Sequence, residues 1–269
     1  MDNARESKYD SVVQSLADLN GLVVRQKAQK AEILAQAPEV PYEAENKYKV
    51  HLLPTDKAVQ TTSYGPKGWE PTNEDLEKMD AFLFAQEKSD LFMCAGSGGV
   101  DVINRPFRIG GCCCCPLEVH LDSVVNGPVQ RIGRVREDFS PYLSRCCASI
   151  CMAAFYTDID RALPGGEYEK KYSLRVNLGC CGRVNNCCAP SCCKSDAIFD
   201  ILDTNGAVVA NLQQAYARDR SCIGACCRSE YNFNNYILGF PPGTTVNSCM
   251  LLLTALFQIE YQLFETKEK

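Results

Sequence analysis

Cysteine is the residue type that could carry most chemistry in this chain of 269 residues, which contains 18 of them. Fourteen lie directly beside another cysteine, and the longest run is Cys112, Cys113, Cys114 and Cys115. Adjacent cysteines are poorly placed to bridge each other, and bridges to distant cysteines need Cα atoms within about 7 Å and converging Cβ vectors. The pattern therefore argues against a disulfide framework and for another use of the thiols.

The quartet Cys112, Cys113, Cys114 and Cys115 fits thioester lipidation best among the chemistries open to it. Cysteine clusters near a membrane accept palmitate. Each buried methylene of an acyl chain contributes about 0.8 kcal/mol, so two or more chains make a stable anchor. We therefore expect covalent palmitate on this run.

A second group of cysteines, spaced CC-x5-CC-x3-CC over residues 180–193, could in principle ligate metal. Structural zinc sites prefer two ligands separated by two to four residues, and this cluster offers that spacing only through mixed pairs. We assign no metal site here, and stoichiometric zinc in the purified protein would reveal one. The isolated cysteines Cys94, Cys151, Cys222 and Cys249 are consistent with burial as small hydrophobic residues.

Other residues that could support catalysis are sparse. The two histidines, His51 and His120, fall at alternating strand positions, so we expect structural or surface roles and no Cys–His nucleophilic pair. Acidic residues near one another in sequence and a lysine pair are expected to be solvated: Asp158, Asp160, Asp196, Asp200, Lys170 and Lys171. No chemical catalysis is predicted.

The composition of the chain indicates which partners and which cellular compartment to expect. The chain has 28 Lys and Arg against 33 Asp and Glu, a net charge of -5, which gives no electrostatic reason to expect nucleic acid as a partner. The first residues, MDNARESKYD, lack the features of a secretory or mitochondrial leader. We therefore expect a protein of a reducing compartment that is not secreted.

The N-terminal segment is predicted to be an amphipathic helix from about Tyr9 to Gln36, which Pro38 and Pro41 end. Residues 1–42 are accordingly expected to form a helical segment that docks on the main domain. The apolar stripe that supports this prediction has helical spacing: Val12, Leu16, Leu19 and Val23.

From Tyr48 to about residue 240 the apolar period changes to two, which predicts an all-β domain over residues 43–269. Asn205 and Gly206 indicate a tight turn between two of its strands. The predicted strands have the sequences YKVHL, AVQTTSY, VDVINRPFRI, LEVHL, QRIGRVRE, SICMAAFY, YSLRVNLG, AIFDIL, AVVANLQ and NYILGF.

Residues 246–264 return to a helical pattern whose apolar positions run all the way round. Such a helix has no face suited to water and must be enclosed or embedded in a membrane. Its fully apolar part is too short to cross a bilayer, and Glu260 would be costly at mid-bilayer depth. We favour a helix threaded through a closed β-barrel over a transmembrane anchor.

These elements and motifs, in this order, resemble the phospholipid scramblase family over about Val12 to Glu265. The matching segments are SLADLNGLVVRQKAQKAEIL, ENKYKVHLLPTDKAVQ, NRPFRIGGCCCCPLEVHL, PVQRIGRVREDFSPYL and NYILGFPPGTTV. The third corresponds to the family's palmitoylated cysteine run, here Cys112 to Cys115, with its flanking strand.

The resemblance implies a fold, an activity and a location. The family's fold is a twelve-stranded antiparallel barrel around a C-terminal helix, shared with the Tubby phosphoinositide-binding proteins. Its activity is calcium-stimulated, energy-independent movement of phospholipids between leaflets. The implied partner is a phospholipid membrane, with this chain on the cytoplasmic face of the plasma membrane or an organelle.

Calcium is the implication that this sequence supports least. The family's acidic loop before the terminal helix aligns with Asn232, Asn234, Gly243 and Thr245, none of which is an acid. Calcium affinity rises with the number of charged oxygen ligands, so binding here is expected to be very weak.

Two functional hypotheses follow. The first is a lipidated scramblase-like protein that binds or translocates phospholipids. The second is a scramblase-fold protein that has lost transport and serves as an adaptor or structural subunit of a larger assembly. The cysteine run favours the first, whereas the degenerate calcium loop favours the second.

Overall fold

The computed structural model of this protein describes residues 20–27, 47–59, 61, 68–69, 71–88, 91–95, 100–104, 117–124, 129–138, 154–177, 197–215 and 235–260. The strands found in these residues are β1 (Gly21–Lys27), β2 (Lys47–Leu52), β3 (Leu83–Lys88), β4 (Leu91–Ala95), β5 (Val100–Asn104), β6 (Glu118–Val124), β7 (Gln130–Glu137), β8 (Ala154–Ala162), β9 (Tyr168–Asn177), β10 (Ala197–Leu202), β11 (Val208–Ala215) and β12 (Asn235–Gly239). The helices are α1 (Asn73–Lys78) and α2 (Val246–Ile259).

Every strand pairs antiparallel with its neighbour in chain order. β1 also pairs antiparallel with β12, where Gly21 lies opposite Gly239 and Arg25 lies opposite Asn235. The order of pairing therefore returns to its first strand. The prediction of a mainly β, antiparallel fold is confirmed.

The predicted helix from Tyr9 to Gln36 is wrong over residues 21–27, which form β1. The consecutive apolar residues of this segment suit a strand whose two faces are both buried. Leu22 and Val24 belong to the main core, and Val23 belongs to a second cluster on the other face. Of the predicted helical stripe, this segment contributes only Val23. The rest of the proposed 1–42 helical segment, except Asn20, lies outside the described residues.

Part of the remaining strand prediction also needs correction. At its described positions the predicted strand over residues 58–64 is wrong, since Ala58, Val59 and Thr61 lie outside any strand. Val59 instead packs its side chain on the cluster around Val23. Three further elements, β3, β4 and α1, were not predicted; they are short, and β3 and α1 are rich in polar residues.

The hairpin predicted around Asn205 and Gly206 is confirmed by the antiparallel pairing of β10 with β11. Gly206 has a φ of +82°, a conformation that costs glycine little. The Asp203 carboxylate accepts hydrogen bonds from the backbone N–H groups of Asn205 and Ala207, both at 2.8 Å. A side chain and a glycine together fix this turn.

The helix α2 forms part of the main hydrophobic core. Every residue from Ser248 to Ile259 is buried. The same core contains alternate residues of the strands, such as Leu22 on β1 and Leu121 on β6. Thr245 caps the N-terminus of α2, where its hydroxyl accepts a hydrogen bond from the Ser248 N–H at 3.4 Å. Residues 261–264 of the predicted helix lie outside the described residues.

A smaller cluster covers part of the opposite face of the sheet. It consists of Val23, Leu53, Leu76 and Ile237, with the single tryptophan, Trp69, packed beside it. Leu76 comes from α1, whose N-terminus is closed by a capping box between Thr72 and Asp75. This outer layer buries the side chains of Val23 on β1 and Ile237 on β12.

His51 should make the stability of the fold depend on pH. The side chain is 1% exposed, its Nδ1 atom lies 3.2 Å from the Asp80 carbonyl oxygen, and burial lowers its pKa below 6.5. As the pH falls below 6.5, the unfolded chain binds more protons at this residue than the folded chain. We therefore expect the free energy of unfolding to decrease with falling pH in this window.

Urea titrations of the wild-type protein and of His51→Gln at several pH values measure this effect. The substitution should flatten the decrease, because glutamine does not titrate. The variant His120→Gln measures the share of the second histidine, whose pKa is also lowered by burial. Equal slopes for the wild type and His51→Gln would contradict the prediction.

Candidate functional site

The most extensive arrangement of ionisable side chains in the described residues follows β6 to β11. On these strands polar residues alternate with core residues such as Val119, Leu121 and Leu174. We call this group the charged belt, and it consists of Glu118, His120, Asp122, Arg131, Arg134, Asp158, Asp160, Tyr168, Lys170, Ser173, Arg175, Asp200 and Asn211.

At the start of β7, Arg131 connects three members of the charged belt. Its Nε and Nη2 atoms donate to the Asp122 carboxylate. Its Nη1 atom lies 2.8 Å from His120 Nδ1 and donates to the Tyr168 hydroxyl at 3.2 Å. The hydrogen bond to Asp122 raises the pKa of Arg131, so the guanidinium stays charged.

His120 occupies a defined tautomer between this arginine and Glu118. Burial, followed by the charge of Arg131, lowers the pKa of His120, which favours the neutral imidazole. Because arginine can only donate, Nδ1 is the acceptor and Nε2 carries the proton. Nε2 lies 3.2 Å from Glu118 Oε1, so it donates to that carboxylate. The imidazole is therefore held by hydrogen bonds at both nitrogens.

Arg134, on β7, contacts members of the charged belt on three other strands. Its Nε atom donates to Asp160 Oδ2 at 2.9 Å, and its Nη1 atom lies 3.5 Å from Glu118 Oε1. The guanidinium carbon lies 4.0 Å from the centroid of the Tyr168 ring, in cation–π geometry. One arginine thus links β6, β7, β8 and β9.

The third part of the charged belt lies on β8 and β9. Lys170 Nζ is 2.7 Å from Asp158 Oδ1, which also accepts a hydrogen bond from Ser173 Oγ at 3.1 Å. This carboxylate is therefore held by two side chains of β9.

The fourth part joins β9, β10 and β11. Arg175 donates to Asp200 Oδ2 through Nε at 3.0 Å and Nη2 at 2.5 Å, and this contact raises the pKa of Arg175. Asn211 donates to the other oxygen of Asp200 at 3.0 Å. The side chains of three neighbouring strands thus meet at one carboxylate.

The prediction that Asp158, Asp160 and Asp200 are solvated is wrong, because their carboxylates are nearly buried in the charged belt. They are 9%, 5% and 8% exposed, because the longer side chains of neighbouring strands cover them. Lys170 is ion-paired as well. These roles were not predicted because each acid meets its partner across a strand pair. The alternation of acidic, basic and apolar residues along β7 and β8 was the available signal.

The charged belt is chemically suited to fixing strand register. Arg131, Arg134 and Arg175 each lie against a nearly buried carboxylate, so little uncompensated positive charge remains for a phosphate group. Such paired charges stabilise when both are present and destabilise when one is removed. Within the chain segments described above, no group of three or more His, Cys, Asp or Glu residues could hold a metal ion.

Replacing Arg134 should lower the free energy of unfolding more than replacing Lys171, which belongs to a more exposed ion pair. We expect Arg134→Met to lower the free energy of unfolding by about 1–3 kcal/mol, because Asp160 is left nearly buried without its donor. The control is Lys171→Met, which breaks a more exposed ion pair with Glu169 and should change stability by about 0.5 kcal/mol or less. Urea unfolding at neutral pH measures both, and equal losses would contradict the prediction.

The quartet Cys112 to Cys115 lies outside the described residues, as do the cysteines of the 180–193 cluster. The structure does describe Leu117, two residues after the quartet. Its N–H donates to Glu137 Oε2 at 2.8 Å, and its carbonyl oxygen accepts from the Glu137 N–H at 3.0 Å. Gln258 Nε2 of α2 also donates to this carbonyl, at 3.3 Å. We call these contacts the Leu117 clamp.

Only part of the predicted calcium loop can be located. Asn232 and Asn234 lie outside the described residues. Gly243 occupies a turn with a φ of +72°, and Thr245 is the N-cap of α2. Both described positions therefore have a conformational role at the start of the helix. Gly243 has no side-chain oxygen, and the Thr245 hydroxyl is already engaged with Ser248.

Comparisons with protein-family models, curated proteins and solved structures found no match for this chain. In the residues that the structure describes, neither helix has the length and apolar character needed to cross a bilayer.

Proposed function

We propose that this chain is a phospholipid scramblase-like protein that binds phospholipids at a membrane or moves them between leaflets. The observation that carries the proposal is the burial of α2, whose residues Ser248 to Ile259 pack among core-facing residues of the strands. The scramblase resemblance implies this arrangement. Reactive side chains have no part in the proposed activity, since lipid movement breaks no covalent bond.

The proposed architecture is a closed, twelve-stranded, Tubby-like barrel with α2 as its central helix. Two features support it. The strand pairing is cyclic, and α2 contacts β6, β7 and β8. The apolar surface of α2 then needs no membrane to cover it.

The proposed membrane anchor is covalent palmitate on Cys112, Cys113, Cys114 and Cys115. The Leu117 clamp supports this assignment, because it fixes the chain to β7 and α2 within two residues of the last cysteine. Acyl chains on the quartet would thus be attached close to a hydrogen-bonded position of the fold. The proposed location is the cytoplasmic face of a membrane, with phospholipid and not nucleic acid as the partner.

Calcium binding contributes little to the proposed function. Gly243 and Thr245 supply no carboxylate, and neither do Asn232 and Asn234 in the aligned loop. Very weak calcium binding is therefore expected.

A second candidate function is a non-transporting adaptor or structural subunit of a larger assembly. The observation that favours it is the use of Gly243 and Thr245 in the turn and cap that begin α2. A scramblase fold could keep these structural roles after losing calcium-dependent transport.

A vesicle assay separates the two functions. The full chain is reconstituted into phospholipid vesicles with a fluorescent lipid, and a membrane-impermeant reductant reports how much of that lipid reaches the outer leaflet. Transport predicts complete loss of fluorescence, whereas protein-free vesicles lose only the outer-leaflet signal. The matched variant Asn232→Asp/Asn234→Asp, which keeps the Gly243 turn and the Thr245 cap, tests the response to calcium. No leaflet exchange by the wild-type chain, with or without calcium, would leave the adaptor as the remaining candidate.

A further inference from the structure

The segment that contains α1 covers an apolar part of the sheet on the face opposite the main core. We call residues 71–82 the α1 cover. Leu76 of this segment is 2% exposed and belongs to one small cluster with Val23 of β1 and Ile237 of β12. At the end of the segment, the Phe82 N–H donates to the Val50 carbonyl oxygen at 2.8 Å. The cover is thus held to the sheet by a small cluster, whereas the strands are held by ladders and by the main core.

His51 lies on the face of the sheet that the α1 cover protects. It is directly opposite Val23 in the pairing of β1 with β2, and its side chain is 1% exposed. Its Nδ1 atom lies 3.2 Å from the Asp80 carbonyl oxygen, which can only accept, so Nδ1 carries the proton of the neutral ring. Nε2 is then the unprotonated nitrogen. It is buried and has no hydrogen-bond partner among the residues described.

Protonation of His51 is therefore unfavourable while the α1 cover is in place. The second proton would create a buried Nε2–H group without an acceptor and a buried positive charge. Two basic residues already lie on the same face: Lys49 is two residues away on β2, and Arg25 lies opposite Lys49 on β1. Burial and these two charges lower the pKa of His51, whereas the hydrogen bond to Asp80 raises it.

The α1 cover acts on the imidazole through its backbone. Its effect on His51 comes from backbone groups of Asp80 and Met79. Its ionisable side chains are exposed or engaged with other residues of the cover, and they are Glu74, Asp75, Glu77, Lys78 and Asp80. The segment therefore brings a carbonyl acceptor to Nδ1, and Nε2 receives no matching contact from it.

We propose that the α1 cover is an acid-sensitive flap, which opens when His51 is protonated and uncovers the apolar side chains of Val23 and Ile237. Opening lets water accept the new Nε2–H group. The strands stay folded, because the main core around α2 takes no part in the change. Segments with few buried contacts open at a lower free energy than the whole fold. This device goes beyond the proposed function and does not depend on it.

The open state should become more populated as the pH falls. In the open state His51 is hydrated and titrates near 6.5, above its pKa in the closed state. Below that pH the open state binds more protons than the closed state. The ratio of open to closed molecules should therefore rise by up to about tenfold for each pH unit.

The single tryptophan, Trp69, reports opening because it packs against the cluster that contains Leu76. Acrylamide quenching of its fluorescence is measured on the full chain between pH 7.5 and pH 5.5, with far-UV circular dichroism on the same samples. We expect the quenching constant to rise severalfold and reversibly, while the β-sheet signal stays constant. In His51→Gln the constant should not change with pH, since glutamine can still donate to the Asp80 carbonyl but does not titrate.

Two further variants separate an acid-sensitive role from a merely structural one. Lys49→Gln removes a positive charge near the imidazole, so the closed state tolerates protonation better and opening should shift to lower pH. His120→Gln should keep the wild-type profile. Cleavage by a glutamyl endopeptidase locates the change: the rate after Glu74 and Glu77, normalised to a peptide of residues 71–82, should rise severalfold at pH 5.5.

Several results would overturn the inference. These are a quenching constant of the wild-type chain that does not depend on pH, the same rise in His51→Gln, and a rise that occurs only together with loss of the β-sheet signal. If His51→Gln does not fold, Lys49→Gln decides, because an unshifted profile for this variant would equally overturn the proposed flap.

Discussion

Replacing Phe257 by alanine should destabilise the protein more than most single substitutions. Phe257 is 1% exposed within α2, and its ring centroid lies 5.0 Å from that of Tyr48 on β2. Truncation removes apolar contacts and leaves a cavity that the surrounding strands can fill only in part. We expect the free energy of unfolding to fall by about 3–5 kcal/mol.

Chemical denaturation of the wild-type protein and of Phe257→Ala measures this loss. The matched control is Phe84→Ala on β3, where the same side chain is 53% exposed and its removal should cost about 0.5 kcal/mol or less. Comparable losses at the two positions would show that α2 is not enclosed as described.

Gly133→Ala is the second substitution with a large expected effect. A Cβ atom at this position of β7 would lie 2.3 Å from the Asp160 carbonyl oxygen and 2.8 Å from Leu251 Cδ2. The first of these atoms belongs to the backbone of β8, so β7 and β8 would have to move apart. Overpacking of this kind typically costs about 1–3 kcal/mol, and a backbone clash favours the upper part of that range.

A double-mutant cycle with Leu251→Ala tests the stated cause. Truncating Leu251 removes the clash with α2 and leaves the clash with β8, so the two substitutions should couple by about 0.5–3 kcal/mol. The measurement is the midpoint and slope of urea unfolding for the four proteins. A wild-type stability for Gly133→Ala, or strict additivity with Leu251→Ala, would contradict the described packing of α2 on β7.

Features encoded by local residues were predictable from the sequence. The turn at Gly206 needed only the Asn-Gly pair between two alternating segments. The burial of α2 followed from the absence of a polar face between Met250 and Phe257. In both cases the physical cause acts within a few residues, so neighbouring positions contain the necessary information.

Features that depend on distant partners were less accessible. The β1 segment was predicted to be helical because Val23 matched a helical stripe. Its pairing with β12, more than two hundred residues away, decides its structure. Tertiary pairing can override a local pattern in this way, particularly where β-branched residues such as Val23 and Val24 favour a strand.

The side-chain contacts of the charged belt were likewise not predictable from the local sequence. Asp122, Asp160 and Asp200 carry no local sign of burial, because the arginines that cover them come from neighbouring strands. Once the register is known, the pairings follow from which residues lie opposite each other. Register itself depends on the complete order of strands, which the sequence pattern alone does not specify.

The most direct test of the proposed membrane attachment is acyl exchange on the wild-type chain. Protein isolated from cells is treated with hydroxylamine, and modified cysteines are mapped over residues 105–117 by mass spectrometry. The proposed anchor predicts thioester-linked acyl groups on Cys112 to Cys115 and recovery of the protein with membranes. Unmodified thiols throughout this segment would contradict it.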